Sequence, residues 1–587
     1  MPCSGSYCFT VLAANYPLCC FGQIMPQSQL PQSGPATRRS RVINGLLWAI
    51  VPLGLMAIAV VRSSAHAFDF AVGNVLTGLL VLTIWLALIF ALARSTMPRL
   101  WWKGLLLIPL GLLLIFLTVY KFQRFNGELI PQFTPRWTAA NDARPLGAHR
   151  AENPDSRTDA AAHAVDAPVA SIAPQIAPQM LAPRETDFPQ YLGPGRDATI
   201  HQVSLDPNWD ASPPHIAWKQ SIGAGWSGFA IQGDVGVTME QHGQQEWVSA
   251  YSVLDGSLLW NRPIDAKHSN MLGGVGPRST PTIADSRVYA CSAVSRLSCL
   301  DLATGQEIWG QELLELANTN QSAFEGEVSW GRSASPLLVG DLVVIPLGGI
   351  GATKRTLIAF DRNTGQERWR GGSDQISYAS PALAELSGQQ QILLVSEKRV
   401  AGYGVESGRE LWSSPWPGSS SSSATASQPV VVDATHVLLT KGYGEGCRLL
   451  QTTFSDSTWS VDVLWSNSAG LRTKFTNSVV RDGYAYGLSD GILECVRLSD
   501  GRRQWKKGRY QHGQVLLVGG HLLITTERGE LVLVEARPEK MTEVAKLPVL
   551  GDVSWNTAAL SGNRLLMRNS DEAACVLLPL LVHEPEN

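Results

Sequence analysis

Three uncharged apolar runs dominate the first part of the chain: Val42 to Val61, Phe70 to Ala93 and Gly104 to Tyr120. About 20 apolar residues span a bilayer core, and about 17 suffice at the low end, so the pattern predicts three transmembrane helices. From Asn126 to Asp187 the periodicity disappears into Pro, Ala, Gln and Asp, which predicts an extended, largely disordered spacer. After Phe188 short alternating runs separated by Gly or Asp turns take over, the pattern of β-hairpins. The predicted layout is a tail over 1–41, helices over 42–120, a linker over 121–187 and a β-domain over 188–587.

The β-domain is repetitive. A turn pair ending in Gly, three further residues and then Trp recurs as DGSLLW at Trp260, TGQEIW at Trp309, TGQERW at Trp369, SGRELW at Trp412 and DGRRQW at Trp505. Looser copies are HIAW at Trp218 and VDVLW at Trp465, so successive tryptophans lie 42, 49, 60, 43, 53 and 40 residues apart. That is the period of propeller blades. Within one unit STPTIA, RVYACSA, RLSCLDL and QEIWGQE read as four strands from the inside outwards. Gly305 and Gly365 allow the positive φ of tight hairpins, and the Trp residues are placed to fill the seams between blades.

The last strand set has no Trp-bearing outer strand, and HIAWKQ has no blade before it. The first strand is therefore expected to complete the last blade, closing an all-β ring of eight and removing two sheet edges. Seven blades would result if the unit ending at Trp465 were an insertion.

Charge placement orients the chain. Arg38, Arg39 and Arg41 precede the first apolar run and Arg94, Arg99 and Lys103 fill the second loop, against Arg62 in the first. The N-terminus and second loop are expected to be cytoplasmic, and the β-domain extracytoplasmic. Lys121 and Arg124 reduce the asymmetry. A net charge of −3 and a pI near 6.4 give no basic signature for nucleic acid. Cys3, Cys8, Cys19, Cys20, Cys291, Cys299, Cys447, Cys495 and Cys575 show no CxxC or zinc-like spacing and read as mostly buried thiols, so no metal site is expected.

Trp-Asp pairs of the WD40 kind are missing from the repeats, and the strand, Thr-Gly turn and Trp resemble the pyrroloquinoline-quinone (PQQ) type repeat instead. The lead-in FPQYLGPGRDATI, with GPRSTPTI, WGRSASPLLVGDLVVIPLGG and YQHGQVLLVGGHLLI, resembles the PQQ-like propeller proteins of planctomycetes. This resemblance implies an eight-bladed propeller akin to quinoprotein alcohol dehydrogenases and to the assembly lipoprotein BamB, and it implies fold more strongly than activity. Its first functional implication is a membrane-anchored envelope scaffold that binds a protein, peptide or glycan. The alternative is a PQQ-dependent dehydrogenase of the polyvinyl-alcohol dehydrogenase kind, using PQQ with calcium.

That chemistry needs carboxylate and amide ligands for calcium, a carboxylate base and flat clamps on the quinone. The adjacent-cysteine clamp of the alcohol dehydrogenases has its counterpart only at Cys19 and Cys20, ahead of the helices, and haem-binding CxxCH is absent. Two other motifs read as architecture. GAGWSG (Gly223, Gly225, Gly228) precedes a strand rather than joining strand to helix, and GLSDG places Ser489 in a hairpin rather than a nucleophile elbow.

What remains is a set of residues in the short leads into the blades: Trp226, Arg278, Arg332, Tyr378, Lys474, His512 and Trp555. Such leads converge around one mouth of a propeller channel. Arg278, Arg332, Lys474 and His512 are expected to make that mouth basic and suited to an acidic peptide, a glycan or a PQQ-like anion. The competing expectation is that each cation satisfies neighbouring loop carbonyls and stabilises the ring.

Overall fold

The computed structural model describes residues 35–64, 70–94, 99–137 and 176–581. The tail before residue 35, with Cys3, Cys8, Cys19 and Cys20, and residues 138–175 of the expected spacer lie outside the described residues. Three helices form: α1 (Pro35–Ser63), α2 (Phe70–Ala93) and α3 (Arg99–Val119). Two segments, Gly45–Ser63 and Phe70–Ala93, are long and apolar enough to cross a membrane. The third apolar stretch, Lys103–Val119, is a shorter helix, so the expected count of three spans is not established. Tyr120, placed in the third helix by its apolar character, is instead the first residue of a strand.

That strand corrects the spacer. Strands β1 (Tyr120–Phe125) and β2 (Pro131–Pro135) form an antiparallel hairpin, with Phe122 opposite Phe133. Its sequence signal was Asn126-Gly127 between aromatic residues, a pair common in turns, although the loop that forms spans residues 126–130 and has its positive φ at Leu129. The Asn126 side chain fixes the turn by accepting from the Glu128 and Ile130 amides. The far end of the spacer is ordered as well. A 3-10 turn at Pro178–Leu181 leads to Asp187, whose carboxylate accepts from the Gly233 amide in the first blade.

Eight blade sheets follow, each four strands laid down from inside to outside, except that the seventh gains Thr199–Ile200 as a fifth; a small two-stranded sheet, Ser269–Asn270 with Gly274–Val275, lies outside the blades. The eighth joins Ala559–Ser561, Arg564–Arg568 and Glu572–Leu577 to His215–Ser221, with Trp218 opposite Cys575. The ring therefore closes by pairing the two ends of the β-domain. The unit at Trp465 is a true blade with lengthened outer strands, Gly446–Ser455 and Thr458–Asn467, which settles eight against seven.

The repeat acts between blades. The indoles of Trp218, Trp260, Trp309, Trp369, Trp465 and Trp505 donate to carbonyls of the next blade: Val253, Leu302, Arg362, Val405, Leu498 and Arg537. Trp412 is the exception and turns to Gln391 of its own blade. Each Thr-Gly turn lies beneath the preceding blade's indole. A Cβ on Gly305 would stand 2.6 Å from Trp260, and one on Gly365 2.7 Å from Trp309. The motif residues thus pair across a seam, Gly305 with Trp260 and Gly365 with Trp309. Asp301 and Asp361 hold the turns by accepting from the Thr304 and Thr364 amides and hydroxyls.

Ser489 lies where the motif reading placed it. Asp490 and Gly491, both with positive φ, make the two-residue turn that follows it, and its hydroxyl accepts from the Arg472 amide and Lys506. Cys291, Cys299, Cys447, Cys495 and Cys575 are free and buried, and burial pushes the Cys299 thiol up to about 11.

Candidate functional site

The leads into the innermost strands converge as expected. Trp226, Arg278, Tyr378, Lys474 and Trp555 line one cavity of about 470 Å3 at the channel axis. Sequence reasoning missed Trp330, Tyr443 and Phe475, which line it too, although Trp330 and Phe475 stand next to positions already singled out in the same leads. The walls are aromatic: Trp226 and Trp555 have ring centres 4.5 Å apart, Phe475 meets Trp555 at 5.1 Å and Trp330 meets Tyr378 at 5.1 Å. Burial pushes the Tyr378 phenol up to about 12, so it stays neutral at physiological pH.

Two of the four expected basic residues face this space. Arg278 donates to the Gly276 and Gly273 carbonyls at 3.0 and 2.6 Å, which fixes the guanidinium at the wall, and burial lowers it to about 10. It remains a cation at physiological pH. Lys474 places its ammonium 5.9 Å from the Tyr443 ring centre.

Arg332 and His512 lie behind the cavity wall, and the expectation that they make the mouth basic is corrected. Arg332, 3% exposed, donates to the carbonyls of Val294, Pro346 and Leu347 and stacks over Phe324. It ties a strand of its own blade to a loop of the preceding blade. His512 is buried, and burial, then Lys474 and Arg509, hold its imidazole well below the usual range and hence uncharged.

The inner layer is built from a relay of hydrogen bonds. The amides of Gly228, Thr280 and Ser335 donate to the hydroxyls of Thr280, Ser335 and Ser380, one blade to the next. Across this layer runs the lead-in that sequence reading treated only as a family mark. Phe188 bridges Ile231 in the first blade, and Thr199–Ile200 pairs with the seventh. Between them Arg196 donates to the Pro336 and Ser335 carbonyls, and the Tyr191 hydroxyl accepts from Asn477 at 2.8 Å. Tyr191 also lines the cavity. The channel is thereby narrowed by a crossing strap, and the mouth becomes a bowl. Over the bowl lie Asn126, Gly127 and Leu129 of the β1–β2 turn, with Ala71 and Val72 of α2.

Glu246, enclosed between the first two blades, accepts from the Ala293 amide, and burial pushes its carboxyl up to about 7 against the pull of that amide and of Arg278. Folding therefore takes up a proton at this position. Its contribution to stability is full below the unfolded carboxyl range and is lost as pH rises through about 7. Glu246→Gln is expected to remove that slope and to be the more stable form at pH 8 by about 3 kcal/mol. Melting temperatures of both proteins between pH 5 and 8 check this, and parallel curves would contradict it.

The cavity does not fit a calcium-bound quinone. Its lining contains no Asp or Glu, whereas calcium takes six to eight oxygen ligands with carboxylates prominent among them. Among the described residues no group of three His, Cys, Asp or Glu is placed to hold a metal ion. The described cysteines are free and none forms a clamp.

Part of the repeat region resembles known sequences. The family model described as outer membrane protein assembly factor BamB matches residues 244–507. The matched residues are the repeat-bearing part of the propeller. BamB from Xanthomonas campestris pv. campestris is 31% identical over 98 residues, which span 17% of this chain and 22% of that relative. Among solved structures, BamB from Moraxella catarrhalis aligns with TM-score 0.46 and 16% identity, covering 62% of this chain and 100% of that one. The quinohemoprotein alcohol dehydrogenase from Comamonas testosteroni aligns with TM-score 0.47 and 12% identity, covering 69% and 82%.

Proposed function

We propose that this protein is a membrane-anchored envelope propeller that acts as a binding scaffold, with the bowl at the channel mouth receiving an acidic segment of a partner. One observation carries the reading: the cavity places Arg278 and Lys474 among aromatic walls with no carboxylate in its lining. Aromatic surface supplies desolvation and stacking, and the two cations supply charge-assisted contacts to a carboxylate. The match to the BamB family model and the partial likeness to a BamB sequence support a role in assembly or binding. In this reading all three apolar helices cross the membrane, the tail over 1–41 is cytoplasmic, and the propeller over 188–587 is held on the extracytoplasmic side.

A labelled peptide rich in Glu, with one aromatic residue, is the probe. Binding to the full chain in detergent is expected, and Arg278→Ala with Lys474→Ala should weaken it at least about tenfold, since a hydrogen bond to a charged group contributes about 1.5–3 kcal/mol. Arg332→Ala should leave affinity unchanged and lower the melting temperature, because three buried carbonyls lose their donor. Equal binding by a Lys-rich peptide would defeat the proposal. So would PQQ-dependent and calcium-dependent dye reduction with an alcohol, which belongs to the dehydrogenase alternative.

A further inference from the structure

The β1–β2 hairpin stands against the propeller without joining it. It forms its own two-stranded sheet and pairs with no blade. Such a hairpin is marginally stable alone in water, so its position depends on contacts with its surroundings. Those contacts are polar. Arg124, 5% exposed, donates to the Ser570 hydroxyl and pairs with Asp552 and, at 3.2 Å, with Asp571. Its guanidinium carbon lies 5.5 Å from the Trp226 ring centre, at the edge of the bowl. At the tip the Gly127 amide donates to Glu527 at 2.6 Å, and Glu128 pairs with Arg509. Glu527 also accepts from the Trp555 indole, so the tip and the cavity wall share one carboxylate.

A latch of this composition can open. The Coulombic gain of a buried ion pair is largely offset by desolvation of both partners, so the closed state is favoured only modestly by it. The hairpin also has a second face to present. Phe122, Ile130 and Phe133 are 41%, 44% and 37% exposed, directly after an apolar helix, where aromatic residues favour a membrane–water interface.

We propose that the β1–β2 hairpin is a lid over the channel mouth, latched by Arg124 in the socket of Asp552, Asp571 and Ser570. Opening exposes the cavity between Trp226 and Trp555, and closing covers part of it with Asn126, Gly127 and Leu129. The inference rests on the mouth being the binding face, and it assigns the opener: an acidic ligand offers Arg124 replacement carboxylates as it enters. The lid is continuous with α3, since Tyr120 follows Val119 directly, so lid position and helix are covalently coupled.

The first arm of the test needs no ligand. In the full chain in detergent, with Cys3, Cys8, Cys19 and Cys20 replaced by Ser, Thr557→Cys puts a thiol in the cavity lining, and N-ethylmaleimide reports access to it. The five remaining cysteines are buried and give a low background. Arg124→Ala should raise the modification rate by about tenfold or more. Gly127→Ala should do the same without removing a charge, because its Cβ would collide with the His512 ring. A rate unchanged in both variants overturns the lid, and so does loss of the propeller's cooperative melting in both, which would make the hairpin a structural part. The acidic peptide is then added to Arg124→Ala. Faster thiol modification with no peptide binding would keep the lid and defeat the proposed ligand, so the two failures are distinguishable.

Discussion

Gly305→Ala is expected to destabilise the propeller by about 3 kcal/mol, combining a strained backbone with an overpacked seam. Two costs meet at this residue. Its φ is +66°, which disfavours any Cβ, and the added methyl would stand 2.6 Å from the Trp260 indole of the neighbouring blade. Gly340 separates the two. It has φ of +53° in a turn of the third blade, and a Cβ there meets nothing within 4 Å, so Gly340→Ala should cost only about 1 kcal/mol. A double-mutant cycle isolates the seam. In a Trp260→Ala background the indole is gone, and the cost of Gly305→Ala should fall to about that of Gly340→Ala. Trp260→Ala itself should cost about 3–5 kcal/mol, since it empties a buried site and strands the Leu302 carbonyl. Additive effects of Gly305→Ala and Trp260→Ala in thermal melts would show that the seam contact carries no weight.

The seam explains which parts of the fold were legible in the sequence. Gly and Trp recur because each blade repeats one local geometry, and a repeated constraint leaves a repeated trace. Ring closure was legible for a related reason, since an unpaired strand at each end of a repeat array has one economical partner. The β1–β2 hairpin was not. Lys121 and Arg124 read as charges flanking a membrane helix, and the strongest local cue, Asn126-Gly127, stood inside a segment whose composition suggested disorder. Nothing in the sequence near Arg124 announces Asp552 and Asp571, which lie more than 400 residues away. The cavity was half legible. Leads into blades can be found from the repeat, so Arg278, Tyr378, Lys474, Trp226 and Trp555 were placed together. Side-chain direction within a lead is set by tertiary packing, and that is what turned Arg332 and His512 away from the bowl. The strap through Tyr191 and Arg196 was visible only as a run of Gly and Pro. Its positive φ values at Leu192, Gly193, Arg196 and Ala198 show why such a run is needed to thread the ring.

Ending the chain after Asp571 is expected to abolish cooperative folding of the propeller, a larger effect than any single substitution considered above. The segment removed, 572–587, contains Glu572–Leu577, an interior strand of the four-stranded closing sheet. It pairs with Arg564–Arg568 on one side and His215–Ser221 on the other, so its loss opens two edges at once. Ala573, Ala574, Cys575 and Val576 are at most 1% exposed and belong to the largest core cluster, together with Leu565 and Leu566. Their removal therefore exposes apolar surface as well as unpaired backbone, the combination that invites aggregation. The converse experiment strengthens the same joint. Lys219 and Ala574 are directly opposite in the closing pair, so Lys219→Cys with Ala574→Cys places two thiols at cross-strand spacing. A disulfide there would close a loop of about 355 residues, worth up to about 6 kcal/mol in the chain-entropy account. The oxidised protein should melt higher than its reduced form, and the gain should disappear on reduction. Equal melting of the two forms, with the disulfide verified by mass, would mean that the ring does not open at this joint when the propeller unfolds.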